Sequence, residues 1–340
     1  MARRRRRRQS GSYLTFTILA AAVALSWWWL YAGNRPVAEI DPALALGPKP
    51  VLTTDRPEIV PEEDAAQEVP EKGASTEPTD SKGKSNGPNV LNVERARSLI
   101  EAGKQALSNQ DPVAARSQFS EALTLIDDTD DAKFLRAELT RLSAETIFSQ
   151  RIIRNDPLVT RYIIQPGDTL AKIASRNKIS DDLLADINDI QNKNLIRSGQ
   201  TLKIVRGPFH AVVRKKDFRI DVYLGTTFVH QYPVGLGLDG STPEGKWRVR
   251  TKLVDPTYHP PRGGDIIAAD DPQNPLGERW ISLEGLAGEA LGQQRYGIHG
   301  TIEPESIGRE TSLGCIRLYN EDVQELYTYL VEKHSTVTVR

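Results

Sequence analysis

The sequence predicts a multidomain chain: an N-terminal transmembrane helix, a small all-α helical spacer, a βααβ unit and a mostly-β C-terminal domain. Three observations lead there. A long uncharged apolar run follows a block of arginines near the N-terminus. Apolar residues then recur with helical period between Asn92 and Gln150. From Gly207 onward the pattern changes to short alternating runs broken by turn residues.

Arg3 to Arg8 are consecutive arginines, and no charge occurs from Gln9 to Asn34. About 20 apolar residues at 1.5 Å rise cross a hydrocarbon core, and Tyr13 to Tyr31 meets that length. The arginines predict a cytoplasmic N-terminus, with Trp27, Trp28 and Trp29 at the outer interface. Residues 1–33 therefore read as a single-pass anchor in the cytoplasmic membrane, with all that follows outside the cytoplasm. A cleavable signal peptide is the competing reading, and the run lacks a good small-x-small cleavage site. The formal net charge of −1 argues against a nucleic-acid partner.

Residues 34–90 contain nine prolines, many acidic residues and no aromatic residue. Such a segment cannot bury enough apolar surface to offset its ordering entropy, and reads as a tether of roughly 40 Å root-mean-square span. Residues 91–155 read as three helices. The second is opened by Asp111-Pro112, an N-cap followed by proline at the first helical position. Leu99, Gly103, Ala115, Phe119 and Ala122 stand at tetratricopeptide spacing, so this region resembles one such unit. It is read first as a spacer, and second as a surface for a protein partner.

Residues 160–206 begin with a β-rich run, Tyr162-Ile163-Ile164, and the turn Pro166-Gly167-Asp168-Thr169. Two short helical stretches follow, then Ser198-Gly199-Gln200 and the alternation Leu202, Ile204. Tyr162, Gly167 to Leu170, Ile173-Ala174, Ile179, Asn188 and Gly199-Gln200 with Leu202 and Ile204 resemble the LysM domain. That resemblance implies binding to N-acetylglucosamine-containing glycan, hence to peptidoglycan. It maps the sugar onto Gly167, Asp168, Thr169 and Leu170, with Asp189, Ile190 and Gln191 as a second stretch.

Residues 208–340 hold short strand-like runs, including His210–Arg214, Phe218–Leu224, Thr227–Val234 and Lys246–Lys252. A helix from about Glu321 to Glu332 is expected after Asn320 as its cap, followed by a closing strand over Ser335–Val339. Cys315 is the only cysteine of the chain, so no intramolecular disulfide can form. A free thiol near pKa 8.5 is mostly protonated at neutral pH and needs a base if it is to act as a nucleophile. Of five histidines, His210 and His230 lie in strand-like runs, His259 in a proline-rich loop and His334 near the chain end. Each of these reads as a structural or surface histidine. His299 differs, because Gly300 leaves a backbone carbonyl open to orient the imidazole.

Gly314 permits a tight main-chain approach, so the amides of Leu313, Gly314 and Cys315 are the expected oxyanion donors, with Ser312 bracing the turn. No H-E-x-x-H or paired cysteine occurs, so no metal site is expected, nor any cofactor; Gly235-x-Gly237 reads as a turn.

Ile298-His299-Gly300-Thr301, Ser306-Ile307-Gly308 and Ser312-x-Gly314-Cys315-Ile316-Arg317-Leu318 resemble the YkuD-type L,D-transpeptidase catalytic domain. Supporting stretches are Tyr232 to Gly235, Thr242-Pro243-x-Gly245, and Asn274 to Gly277 with Trp280. The resemblance implies Cys315 as nucleophile, His299 as general base and the Gly300 carbonyl as its orienter. Arg317, Ser312, Thr301, Tyr258 and Trp280 are the expected substrate contacts. Many family members carry histidine where this chain has Leu313.

The implied reaction is attack on the carbonyl of an L-centred diamino acid in a tetrapeptide stem, with loss of D-alanine. A neighbouring stem amine then takes the acyl group in a 3→3 cross-link. Water as acceptor would give an L,D-carboxypeptidase, and a D-amino acid would give exchange. The reading from a different class is a non-catalytic wall-anchoring protein.

Overall fold

Three helices come first in the computed structural model, which describes residues 90–126, 129–260 and 263–340. The expected transmembrane helix lies outside the described residues, as does the expected tether up to residue 89. Among the described residues no helix is long and apolar enough to cross a membrane.

Helix α1 spans Val90–Ser108, α2 Pro112–Leu125 and α3 Asp130–Ser143. The Asp111 carboxylate accepts the Ala114 amide at 2.9 Å and Pro112 opens α2, so an otherwise orphaned donor is satisfied. Thr129 caps α3 in the same way. Gly103 lies flat against Phe119, where a Cβ would stand 2.3 Å from the ring, so α1 and α2 pack closely only because this residue is glycine.

A βααβ unit follows. Strands β1 (Val159–Ile163) and β2 (Thr201–Val205) pair antiparallel around α4 (Leu170–Arg176) and α5 (Asp181–Ile187). Thr169 and Ser180 cap the two helices, and Leu170, Ile173, Leu184 and Ile187 fill the space beneath them.

The C-terminal part contains β3 (Phe209–Arg214), β4 (Arg219–Leu224), β5 (Thr227–Pro233), β6 (Leu236–Gly237) and β7 (Gly245–Val254). Then come β8 (Arg279–Gly288), β9 (Gly297–His299), β10 (Glu310–Ser312), β11 (Ile316–Arg317), α6 (Asn320–Tyr329) and β12 (Thr336–Val339). Eight strands form one sheet in the order β11-β9-β8-β7-β12-β3-β4-β5, while β6 and β10 form a separate parallel pair. Alternate β3 residues, Phe209, Ala211 and Val213, point into the core, as a period of two requires.

Two expectations need correction here. Gly237 belongs to β6 rather than to a turn. Asn320 does not cap α6: the cap position is Tyr319, which makes no side-chain cap bond.

The helical region is also more than a spacer. Phe228 of β5 is buried in the same apolar cluster as Phe119, Leu135 and Leu142, with Tyr223 packed beside it. Phe148, just beyond α3, stacks on Tyr329 at 5.0 Å and on Phe209 at 6.1 Å. The βααβ core and the sheet core form one continuous cluster.

Two buried cations complete the junction. Arg116 of α2 grips Asp156 through both terminal guanidinium nitrogens, at 2.7 and 3.0 Å, and also donates to Thr146. Lys203 of β2 donates to the Thr146 and Ser149 carbonyls at 2.7 Å each, and burial pushes its pKa down to about 8. Asp156→Ala is expected to cost about 3–5 kcal/mol in chemical denaturation, because Arg116 would be left charged and dry. Replacing Arg116 and Asp156 together by Met and Leu should recover most of that loss.

Candidate active site

Two short parallel strands organise the site. β11 pairs with β9 in the register Ile316↔Ile298 and Arg317↔His299. Residues two apart share a strand face, so Cys315, just before β11, is brought to the side that carries His299 and Arg317. All three line a cavity of about 470 Å³ with Tyr258, Trp280 and Leu313 among its walls. Trp280 sits opposite His299 on β8, its ring 5.5 Å away at 25° between planes. Gly297 leaves the necessary room, since a Cβ there would stand 2.6 Å from the Trp280 ring.

His299 is 4% exposed, and its Nδ1 lies 2.6 Å from the Gly300 carbonyl oxygen. A carbonyl can only accept, so Nδ1 carries the proton and Nε2 is left as the basic atom of the ring. Burial pushes the imidazole pKa down to about 4, the Gly300 bond works against that, and the Arg317 charge adds to it. Burial likewise pushes the Cys315 thiol up, while a backbone hydrogen bond at Gly297 and the Arg317 charge pull it down. Burial therefore favours the uncharged form of both the thiol and the imidazole.

The turn before Cys315 is held by hydroxyls. Ser312 Oγ donates to the Cys315 carbonyl at 2.6 Å and accepts the Gly314 amide at 3.1 Å. Thr242 Oγ1 donates to the Gly314 carbonyl at 3.0 Å and accepts the Gly237 amide at 2.9 Å. Of the three amides expected to face an oxyanion, that of Gly314 is therefore engaged by Ser312. Gly314 itself has φ +118, and a Cβ would meet Tyr296 at 2.5 Å and the Ser241 carbonyl at 2.9 Å.

Other expected contacts divide. Tyr258 and Trp280 face the cavity, and Leu313 lines it while remaining 63% exposed. Ser312 lines the cavity too, with its hydroxyl spent on the turn. Arg317 is at the cavity, but its Nη1 is 2.7 Å from the Glu303 carboxylate, which favours loop-holding. Thr301 is a correction: it is buried, and its hydroxyl accepts the Glu303 amide instead of reaching the cavity.

Sequence reasoning missed His259 and Arg295, which line the cavity, and Tyr296, which packs against Gly314. No spacing marks them, because they sit in loops that only the folded sheet brings together.

In the βααβ unit, Gly167 is exposed at φ +84 with open space around it. The other three expected glycan contacts use their side chains internally. Asp168 accepts from the Tyr162 hydroxyl at 2.6 Å and the Gln165 amide at 2.9 Å, Thr169 caps α4, and Leu170 is in the core. Asp189 and Gln191 are exposed and hydrogen-bonded to each other, and Ile190 is half-buried.

Residues 162–205 match the LysM domain family, and residues 208–339 match the L,D-transpeptidase catalytic domain family. The putative L,D-transpeptidase YkuD of Bacillus licheniformis is 31% identical over 173 residues, covering 48% of this chain and 90% of that protein. The chain belongs to the L,D-transpeptidase family. The putative L,D-transpeptidase YkuD of Bacillus subtilis is 31% identical over 186 residues, covering 52% of this chain and 97% of its own length. A solved L,D-transpeptidase from Mycobacterium smegmatis is 14% identical, with 42% of this chain and 63% of that one covered and a TM-score of 0.30. As an L,D-transpeptidase, the protein is an acyltransferase acting on peptidoglycan.

Gly314→Ala is expected to lower acyl-enzyme formation by at least about 100-fold, because displacing a nucleophile by about 1 Å costs that much. Circular dichroism should show the fold retained, since the strain is confined to one turn.

Proposed function

We propose that Cys315 is the nucleophile and His299 the general base of a two-step acyl transfer. The observation that carries this reading is the sharing of one cavity by the thiol and an imidazole whose Nδ1 is tied to the Gly300 carbonyl. His299 Nε2 takes the thiol proton as sulfur attacks the carbonyl of the L-centred diamino acid in a tetrapeptide stem. The oxyanion is met by the amides of Leu313 and Cys315. Collapse expels D-alanine, whose amine takes the proton back, and leaves a thioester. A neighbouring stem amine then attacks, giving a 3→3 cross-link and restoring the thiol. Leu313 and Trp280 line the cavity in which the thioester would lie.

The LysM domain supports the same substrate, because it would hold the glycan strands whose stems the catalytic domain processes. The apolar run at Tyr13 to Tyr31 would keep the enzyme at the cytoplasmic membrane, with catalysis outside it.

Incubation with disaccharide tetrapeptide should release D-alanine and give an acyl-enzyme mass that Cys315→Ala abolishes. An adduct surviving in that variant would remove Cys315 as nucleophile, and no adduct on the wild type would remove the enzymatic reading.

The pH profile follows from the base. A histidine held at about 4 stays unprotonated above that value, so acylation should fall as pH drops through about 4. A midpoint near the ordinary histidine value of about 6.5 would contradict it.

For the glycan site, Leu195 is 71% exposed in the loop before β2. Leu195→Glu is expected to weaken pull-down on purified sacculi about tenfold while D-alanine release from soluble stems stays unchanged. Deleting the LysM domain would be a poorer test, because its core is continuous with the catalytic one.

A further inference from the structure

The peptide plane between Gly300 and Thr301 is held at both ends. Its carbonyl oxygen lies 2.6 Å from His299 Nδ1, and its N–H donates to Asn320 Oδ1 at 3.1 Å. A trans peptide is planar, with C=O and N–H pointing in opposite directions, so fixing one end aims the other. Gly300 lacks a Cβ to restrain that plane. Nor could it carry one, because a Cβ there would stand 2.0 Å from Asn320 Oδ1.

The same oxygen is wedged against a second glycine. A Cβ on Gly277 would meet Asn320 Oδ1 at 2.3 Å and the Gly300 Cα at 3.0 Å. Gly277 ends the turn that places Pro275 and Leu276 on the cavity wall. One carboxamide therefore joins the loop after the base, the cavity wall and the start of α6. Asparagine at the beginning of a helix ordinarily serves the helix amides, yet α6 has no side-chain cap bond. Its carboxamide is directed at the site instead.

We propose that Asn320 is the positioning residue for His299: by clamping the Thr301 N–H it aims the Gly300 carbonyl and thereby selects the imidazole tautomer with the proton on Nδ1. Asn320 touches neither thiol nor substrate in this scheme. Its effect on rate rests on the reading of His299 as the base, whereas its effect on the tautomer does not.

The test pairs nitrogen NMR of the His299 ring with kinetics of D-alanine release, in Asn320→Ala and Asn320→Asp. Asn320→Ala should turn a single Nδ1–H tautomer into a mixture. It should also lower kcat about 10–100-fold, the range known for outer partners that orient a metal-ligating histidine, with KM nearly unchanged. Asn320→Asp keeps an acceptor of the same shape, so it should hold the tautomer. Its added negative charge should move the acid limb of the pH profile upward, which a purely structural role would not do.

A wild-type tautomer in the folded alanine variant, whatever its rate, overturns the proposal. If that variant does not fold, the aspartate variant decides: an unmoved acid limb overturns the proposal, and a raised one with the tautomer intact supports it. A shifted tautomer with unchanged rate supports the positioning role and removes His299 as the base.

Discussion

The pairing of β9 with β11 is the constraint from which the site follows. It joins segments sixteen residues apart in parallel register, and the Leu318 amide closes on the His299 carbonyl at 2.9 Å. Parallel strands cannot be linked by a tight hairpin, so the chain between them makes an excursion through β10, which pairs with β6 beneath the site. That excursion delivers Cys315 from one side while His299 arrives from the other. A register slip of one residue would turn the thiol or the imidazole away from the cavity.

Burial then sets the chemistry. An enclosed imidazole and a half-buried thiol both favour their uncharged forms, and Arg317 destabilises an imidazolium while stabilising a thiolate. Burial and the Arg317 charge thus act against each other at the thiol and together at the imidazole. The Glu303 carboxylate on Arg317 tempers that cation and ties it to the loop. Ser312 and Thr242 supply what a longer element would otherwise provide, a main chain held at Cys315 by short hydroxyl bonds.

The neighbouring regions are joined to the catalytic sheet through dry contacts. Arg116, Asp156 and Lys203 lie beneath surfaces from the helical and βααβ regions, and Phe148 stacks against residues of the sheet and of α6. Buried charges tolerate little displacement, because each loses its partner and cannot regain water. The LysM domain and the catalytic sheet also share one continuous buried core.

Much of this could be read along the chain. Helical period, the Asp111-Pro112 start and the alternation in β3 and β12 are local properties of backbone and side chain. The singularity of Cys315 and the placement of glycine after His299 needed no folding to notice. The roles of Gly237, Thr242 and Asn320 could not be read in this way. Asn320 carries a strong local preference for capping, and only the approach of Gly277 and Gly300, about 43 and 20 residues distant, redirects its carboxamide. Thr301 and Gly314 were misassigned for a related reason, since hydroxyls and amides take partners by proximity in space. Composition and periodicity by themselves determined which of the described segments are helix or strand and which thiol and imidazole the chain possesses. The tertiary structure alone decided which polar groups stay available for chemistry, because hydrogen bonds are short and directional and are allotted only after the strands have met.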